Sequence, residues 1–310
     1  MSLNVDSLGF VFPGQGAQAV GMGRWLVENH PAAGDVFNRA GSVLGYDLLD
    51  LCLHGPAEKL DATEFSQPAL FVSSMAAVEV LRQTQPELVA KVKAAAGLSL
   101  GEYSAICFAG GLSFEDALRL VQQRGQDMQA AADQVRSGMA SVIGLDLDAV
   151  TALCDQVRQE GEVLQPANIL CAGNIACSGH QSAIDRLVEA GPAAGATKVI
   201  PLAVAGAFHT SLMQPAAEAL GRALHSVTIR DLRIPVYSNV DAVRRHSGAE
   251  LADQLSRQLV SPVLWEKSIR NMIDDGIEGF VEVGSGKILR GTIKRVARKI
   301  PLTGFGDGEP

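Results

Sequence analysis

The sequence predicts an α/β fold: a mostly parallel sheet covered by helices and interrupted by a small inserted domain. Three observations carry this. Short apolar runs that end in glycine turns alternate with helical stretches in both the first and last thirds of the chain. The middle instead follows β-α-β-β-α-β order, the ferredoxin-like arrangement. Finally, 310 residues with 47% apolar and 19% charged side chains suit two domains or one large domain with an insertion, and exclude disorder as the main state. The core is therefore placed at 1–133 and 206–310, and the insert at 134–205.

The elements follow in order. Leu8–Phe12 is a buried strand stopped by Pro13-Gly14, then a Gly-rich turn and a helix from about Gly21. Ser66–Pro68 opens a long apolar helix reaching about Arg82, with Ser66 as cap and Pro68 in the first turn. Val92–Gly97 is a second buried strand. Ser113-Phe-Glu-Asp116 is a capping-box-like start for a helix running to about Asp133. The insert holds strands at Met139–Gly144, Gln165–Leu170, Ile175–Ser178 and Lys198–Val204, with helices at Asp148–Gln159 and Gln181–Ala190. Strands recur at Val236–Ser238 and Gly279–Val283, with helices between and after them.

Composition narrows the function classes. A net charge of −8 argues against nonspecific nucleic-acid binding, which requires neutralising phosphates. The five cysteines (Cys52, Cys107, Cys154, Cys171, Cys177) include no CxxC pair, which fits a reducing, cytoplasmic compartment and no zinc site. The first ten residues lack Lys, Arg and a long apolar run, so no secretory signal is expected. Residues 199–217 carry no charge, but Pro201, His209 and Pro215 do not suit a lipid-facing helix. A soluble protein, not bound to membrane, is expected.

Gly97-Leu98-Ser99-Leu100-Gly101 matches the G-x-S-x-G nucleophile elbow, with an apolar strand before it and helix-compatible residues after it. Glycines on either side permit the strained turn, and the Leu100 N–H at the helix start can face an oxyanion. The competing reading is a tight turn whose serine caps the helix. A serine nucleophile needs a base. Among six histidines, His209 is distinctive: it directly follows the strand at 198–204, at a strand's carboxyl edge, where α/β proteins place ligands. A satisfied buried histidine is the alternative. Arg124 falls on the apolar stripe Ala117, Leu120, Val121, Met128, Ala131 and so points inward, where a guanidinium demands an anion. That anion is either an internal carboxylate such as Glu102 or a substrate carboxylate.

Gly14-Gln15-Gly16-Ala17-Gln18-Ala19, with Asp35 downstream, formally fits a dinucleotide fingerprint. Its other use is to aim the Gln15 N–H at an anion beside Leu100. Gly284-Ser-Gly286-Lys287 is not a phosphate-binding P-loop, because Val281 and Ile288 break the pattern. Lys287, Arg290, Lys294 and Arg298, together with Arg295 and Lys299, predict a basic helix stripe, either a solvated face or a dock for an acidic partner.

Together the residues resemble the malonyl-CoA:acyl carrier protein transacylase family. The motifs are Phe12-Pro-Gly-Gln-Gly-Ala-Gln18, Gly97-Leu-Ser-Leu-Gly-Glu-Tyr103, Gln123-Arg-Gly-Gln-Asp-Met-Gln129, Ala207-Phe-His-Thr210, Gln258-Leu-Val-Ser-Pro-Val-Leu-Trp265 and Glu282-Val-Gly-Ser-Gly-Lys287. They run in family order over nearly the whole chain. The resemblance implies an α/β-hydrolase-like core with a ferredoxin-like subdomain. It implies malonyl transfer from malonyl-CoA to the phosphopantetheine thiol of acyl carrier protein, supplying extender units for fatty acid synthesis. Malonyl-CoA is then a substrate, no cofactor or metal is needed, and a monomer is expected. By the same resemblance, Ser99 is the nucleophile, His209 the base and Arg124 the malonate clamp. Gln15 and Leu100 are the oxyanion donors. Gln258 orients the histidine through its main-chain carbonyl, and Phe208 marks the malonyl-selective form. Leu98 stands where the commoner elbow has His, and Thr210 where Ser is frequent. The rival readings are a serine esterase or thioesterase and a non-catalytic scaffold that binds carrier protein.

Overall fold

The computed structural model describes residues 3–308; Met1 and Ser2, which belong to the N-terminal stretch read above for a signal, lie outside them. Its strands are β1 (Leu8–Phe12), β2 (Val92–Gly97), β3 (Ser137–Ile143), β4 (Leu164–Cys171), β5 (Asn174–His180), β6 (Lys198–Leu202), β7 (Val236–Tyr237), β8 (Arg244–Arg245), β9 (Gly279–Val283) and β10 (Leu302–Phe305). They form two sheets. The six-stranded sheet has the order β10-β9-β1-β2-β7-β8, and every pairing is parallel except β7 with β8. The separate four-stranded sheet, β4-β5-β3-β6, is wholly antiparallel. The chain is thus a mixed α/β protein with a mostly parallel main sheet.

β1 is buried at all five positions and β2 at five of six, the run of apolar residues expected of strands covered on both faces. Their register pairs Phe12 with Gly97, so Pro13–Gln15 and Leu98–Leu100 leave the sheet side by side. β7 flanks β2 on the other side. The carboxyl ends of three adjacent strands therefore converge on one edge, where open parallel sheets bind ligands.

Several boundaries differ from expectation. The first helix is Arg24–Asn29, because Gly21 and Gly23 both take positive φ and cannot extend it backward. The long helix is Thr63–Thr84. Ser66 is interior, its hydroxyl bonded back to the Thr63 carbonyl, and Pro68 lies in the second turn. Proline is most favourable at a first turn, yet here the buried surroundings of the helix hold it further in. The Ser113 start is as read: its side chain accepts from the Asp116 N–H and the helix runs Phe114–Ala132. Among the described residues no helix is long and apolar enough to cross a membrane.

The basic stripe is corrected. Its helix is only Ile288–Val296, so Lys287 precedes it and Arg298 and Lys299 follow it. Arg290 is not free: its Nε donates to the buried Glu282 carboxylate at 3.1 Å and its Nη2 to the Gly286 carbonyl. Glu282 also accepts from the Leu289 and Arg290 N–H groups, capping that helix from the end of β9.

Candidate active site

The elbow is built by close approach. A Cβ on Gly97 would lie 1.9 Å from the Gly101 carbonyl carbon, and one on Gly101 would lie 2.1 Å from the Phe12 carbonyl oxygen. Only glycine fits either place, so the turn brings Ser99 to the very end of β2. Ser99 itself has φ 50°, a left-handed conformation that a side chain tolerates only when its surroundings impose it. The helix Gly101–Ala109 begins immediately after, with Leu100 at its N-cap position. The Leu100 and Gln15 N–H groups have no acceptor among the described residues, and both residues line the cleft that contains Ser99.

His209 also has positive φ, 64°, and is 2% exposed. Its Nε2 lies 2.8 Å from Ser99 Oγ, and its Nδ1 lies 3.0 Å from the main-chain carbonyl of Gln258. A carbonyl can only accept, so Nδ1 carries the proton and Nε2 is free to accept from the serine hydroxyl. Burial, reinforced by the neighbouring Arg124 charge, lowers its pKa to about 4, so the ring is neutral at pH 7. Thr210 caps the following turn, donating to the Ala207 carbonyl and accepting from the Leu212 N–H. The β4 residue Gln165 braces the His209 carbonyl.

Arg124 is fully buried. Its Nη2 donates to Ser99 Oγ and to Gln258 Oε1, both at 2.9 Å, and its Nη1 donates to Gln67 Oε1 at 2.7 Å. The Tyr103 ring lies 5.5 Å from its guanidinium. The internal salt bridge considered for Glu102 is absent among the described residues. Glu102 Oε2 instead accepts from Gln258 Nε2 at 2.6 Å and the Asn239 N–H at 3.3 Å. Burial pushes the Glu102 carboxyl up to about 7. A buried cation without a carboxylate partner, opening on a cleft, can bind an anion from outside.

His209 and Arg124 thus meet at one hydroxyl, that of Ser99, which accepts from Arg124 and donates to His209, while the Gln258 carbonyl holds the far side of the imidazole. Leu98, Met128 and Phe208 form apolar walls of the same cleft, so Leu98 makes the surface beside Ser99 apolar. Gln15 lines it too, but no helix stands behind its turn until Arg24, so the dinucleotide fingerprint lacks its helix N-terminus. Sequence reasoning missed Gln67 and Asn239, and it missed the Gln258 side chain. Gln67 and Asn239 reach the site from distant segments with no local motif to mark them, and the Gln258 motif points only to its main-chain carbonyl.

The acyl transferase domain family matches residues 9–300. A malonyl CoA-acyl carrier protein transacylase of Bacillus subtilis is 39% identical over 307 residues, covering 98% of this chain and 95% of the relative. The enzyme of that name from Salmonella typhimurium is 42% identical over 298 residues, covering 96% and 95%. The malonyl CoA-acyl carrier protein transacylase structure from Coxiella burnetii superposes with TM-score 0.92 at 37% identity, covering 97% of this chain and 94% of that one. A malonyl-transacylase solved in complex with a type II PKS acyl-carrier protein superposes with TM-score 0.89 at 35% identity, covering 96% and 94%. With its elbow, its fold and these matches along nearly its whole length, the chain belongs to the malonyl-CoA:acyl carrier protein transacylases of the acyl transferase domain family.

Proposed function

We propose that this protein transfers the malonyl group of malonyl-CoA to the phosphopantetheine thiol of acyl carrier protein, by way of a malonyl ester on Ser99. The carrying observation is one hydroxyl, Ser99 Oγ, placed 2.8 Å from a neutral imidazole and 2.9 Å from a buried guanidinium. Ser99 attacks the thioester carbonyl as its proton passes to His209 Nε2. The Leu100 and Gln15 N–H groups hold the oxyanion; losing one such donor costs about 10²–10³ in rate. The Gln258 carbonyl accepts from Nδ1–H and steadies the imidazolium. The C–S bond then breaks, and the CoA sulfur leaves with the proton from His209. In the second half the carrier thiol gives its proton to His209, attacks the ester and restores Ser99.

Arg124 selects the substrate. A malonyl carboxylate takes over donors that now serve Gln67 and Gln258, whereas an acetyl group leaves the buried cation without an anion. Phe208 and Leu98 shape the apolar side of the cleft. The division into a 1–133/206–310 catalytic core and a 134–205 subdomain belongs to the same reading, as do a cytoplasmic location and a monomeric state. The decisive comparison is turnover of malonyl-CoA with and without holo-acyl carrier protein. Transfer to the carrier thiol that far outpaces hydrolysis supports a transferase; hydrolysis at equal or greater rate makes it a thioesterase.

A further inference from the structure

Ser99 holds its left-handed φ with no glycine to ease it, so something outside the turn must fix it. The residue that touches both sides of the turn is Asn239, 1% exposed, at the carboxyl end of β7. β7 pairs with β2 only at Ala95 and Ala96. Where that ladder stops, the Asn239 carboxamide continues it. Its Oδ1 accepts from the Ser99 N–H at 2.6 Å, and its Nδ2 donates to the Gly97 carbonyl at 2.7 Å.

Asn239 is itself fixed. Its N–H donates to Glu102 Oε2 at 3.3 Å and its carbonyl accepts from the Leu264 N–H at 2.9 Å. The same Glu102 oxygen accepts from Gln258 Nε2, which also donates to the Ser99 carbonyl at 3.0 Å. Both backbone polar groups of Ser99 are therefore gripped by side chains from far along the chain, and Glu102 joins the two grips. An amide suits this place because it offers one acceptor and one donor at the same end; leucine offers neither, and an ionised carboxylate offers no donor.

We propose that Asn239 is a positioning residue for acyl transfer, its carboxamide clamping the elbow so that Ser99 Oγ is presented to His209. This rests on Ser99 being the nucleophile. The test is the rate of malonyl-Ser99 formation after rapid mixing with malonyl-CoA, with KM, for wild type, Asn239→Leu and Asn239→Asp, from about pH 8 to about pH 5. Glu102, Arg124, His209 and, electrostatically through Glu102, Arg245 are the charged or titratable groups around that position.

Asn239→Leu is expected to acylate about 10²-fold more slowly with an unchanged KM, since a displaced nucleophile costs rate while Arg124 still binds the substrate. Asn239→Asp is expected to be slow near pH 8 and to recover as pH falls, because a protonated carboxyl regains the donor to Gly97. Wild type has no such acid-side gain, because a proton taken up by Glu102 sits on its unbonded Oε1 and leaves both bonds to Oε2 in place. Asn239→Leu acylating within about twofold of wild type overturns the inference, and so does an Asn239→Asp profile parallel to wild type. If Asn239→Leu does not fold, the Asn239→Asp profile alone decides. A wild-type enzyme that forms no malonyl-Ser99 removes the proposed reaction itself, a result distinct from a labelled wild type with unaffected variants.

Discussion

Arg124→Ala tests the substrate clamp and also the electrostatics around the nucleophile. The guanidinium is fully buried, has no carboxylate partner among the described residues, and donates to three oxygens: those of Gln67, Gln258 and Ser99. Truncating one partner of a buried, hydrogen-bonded charge pair costs about 3–4 kcal/mol. If the malonyl carboxylate forms that pair, kcat/KM for malonyl-CoA falls about 10²–10³-fold. Acetyl-CoA never had the pair, and its penalty for leaving a cation unpaired disappears. The acetyl-to-malonyl ratio of kcat/KM therefore rises by about the same factor. A second signature follows from His209. Burial is the larger cause of its lowered pKa and the Arg124 charge the next. Removing that charge leaves the burial and lifts the pKa part of the way from about 4 toward the ordinary 6.5, so the acid limb of acetyl transfer moves to higher pH. Steady-state kinetics with both thioesters across pH measure both effects. An unchanged malonyl kcat/KM, or equal losses for the two substrates, refutes the clamp.

Two further outcomes follow. In wild type, His209 stays neutral until pH approaches its lowered value of about 4, so the acylation rate is flat from about pH 8 to about pH 5 and falls only below that; a midpoint near the ordinary histidine value would contradict the buried, neutral base. Arg290→Ala removes the guanidinium paired with the wholly buried Glu282 carboxylate. Because Arg290 is partly exposed and two backbone N–H groups remain on Glu282, the loss is about 1–3 kcal/mol, read from the urea midpoint; an unshifted midpoint would place that ion pair among those worth nothing.

The site's reacting groups were legible because each carries a local anomaly. Ser99 stands between glycines that the close approach of Gly101 to Gly97 and Phe12 makes obligatory. Arg124 interrupts an apolar stripe. His209 is singled out for directly following a strand, but β6 ends at Leu202 in the antiparallel sheet, so the histidine reaches Ser99 while the parallel-sheet reason for selecting it does not hold. The supporting groups were not legible. Asn239 follows a strand of only two residues and meets Ser99 across 140 positions, and nothing in its neighbourhood announces an elbow clamp. Gln67 hides in a helix that starts four residues before the Ser66-capped start expected, because proline is most familiar at a first turn. Arg290 drops out of the basic stripe for a tertiary reason: spacing places it on an exposed face with Lys287 and Lys294, but the Glu282 carboxylate beneath it recruits the guanidinium. β8 and β10 were too short and too mixed in composition to stand out. Periodicity reports which face is buried; it does not report which distant side chain arrives there.

The central claim is that Ser99 carries the acyl group. Intact mass spectrometry after mixing with malonyl-CoA, followed by peptide mapping, measures this directly. The account predicts one malonyl group on the peptide containing Ser99, discharged when holo-acyl carrier protein is added and absent from Ser99→Ala. No adduct on wild type, or the same adduct on Ser99→Ala, would contradict it.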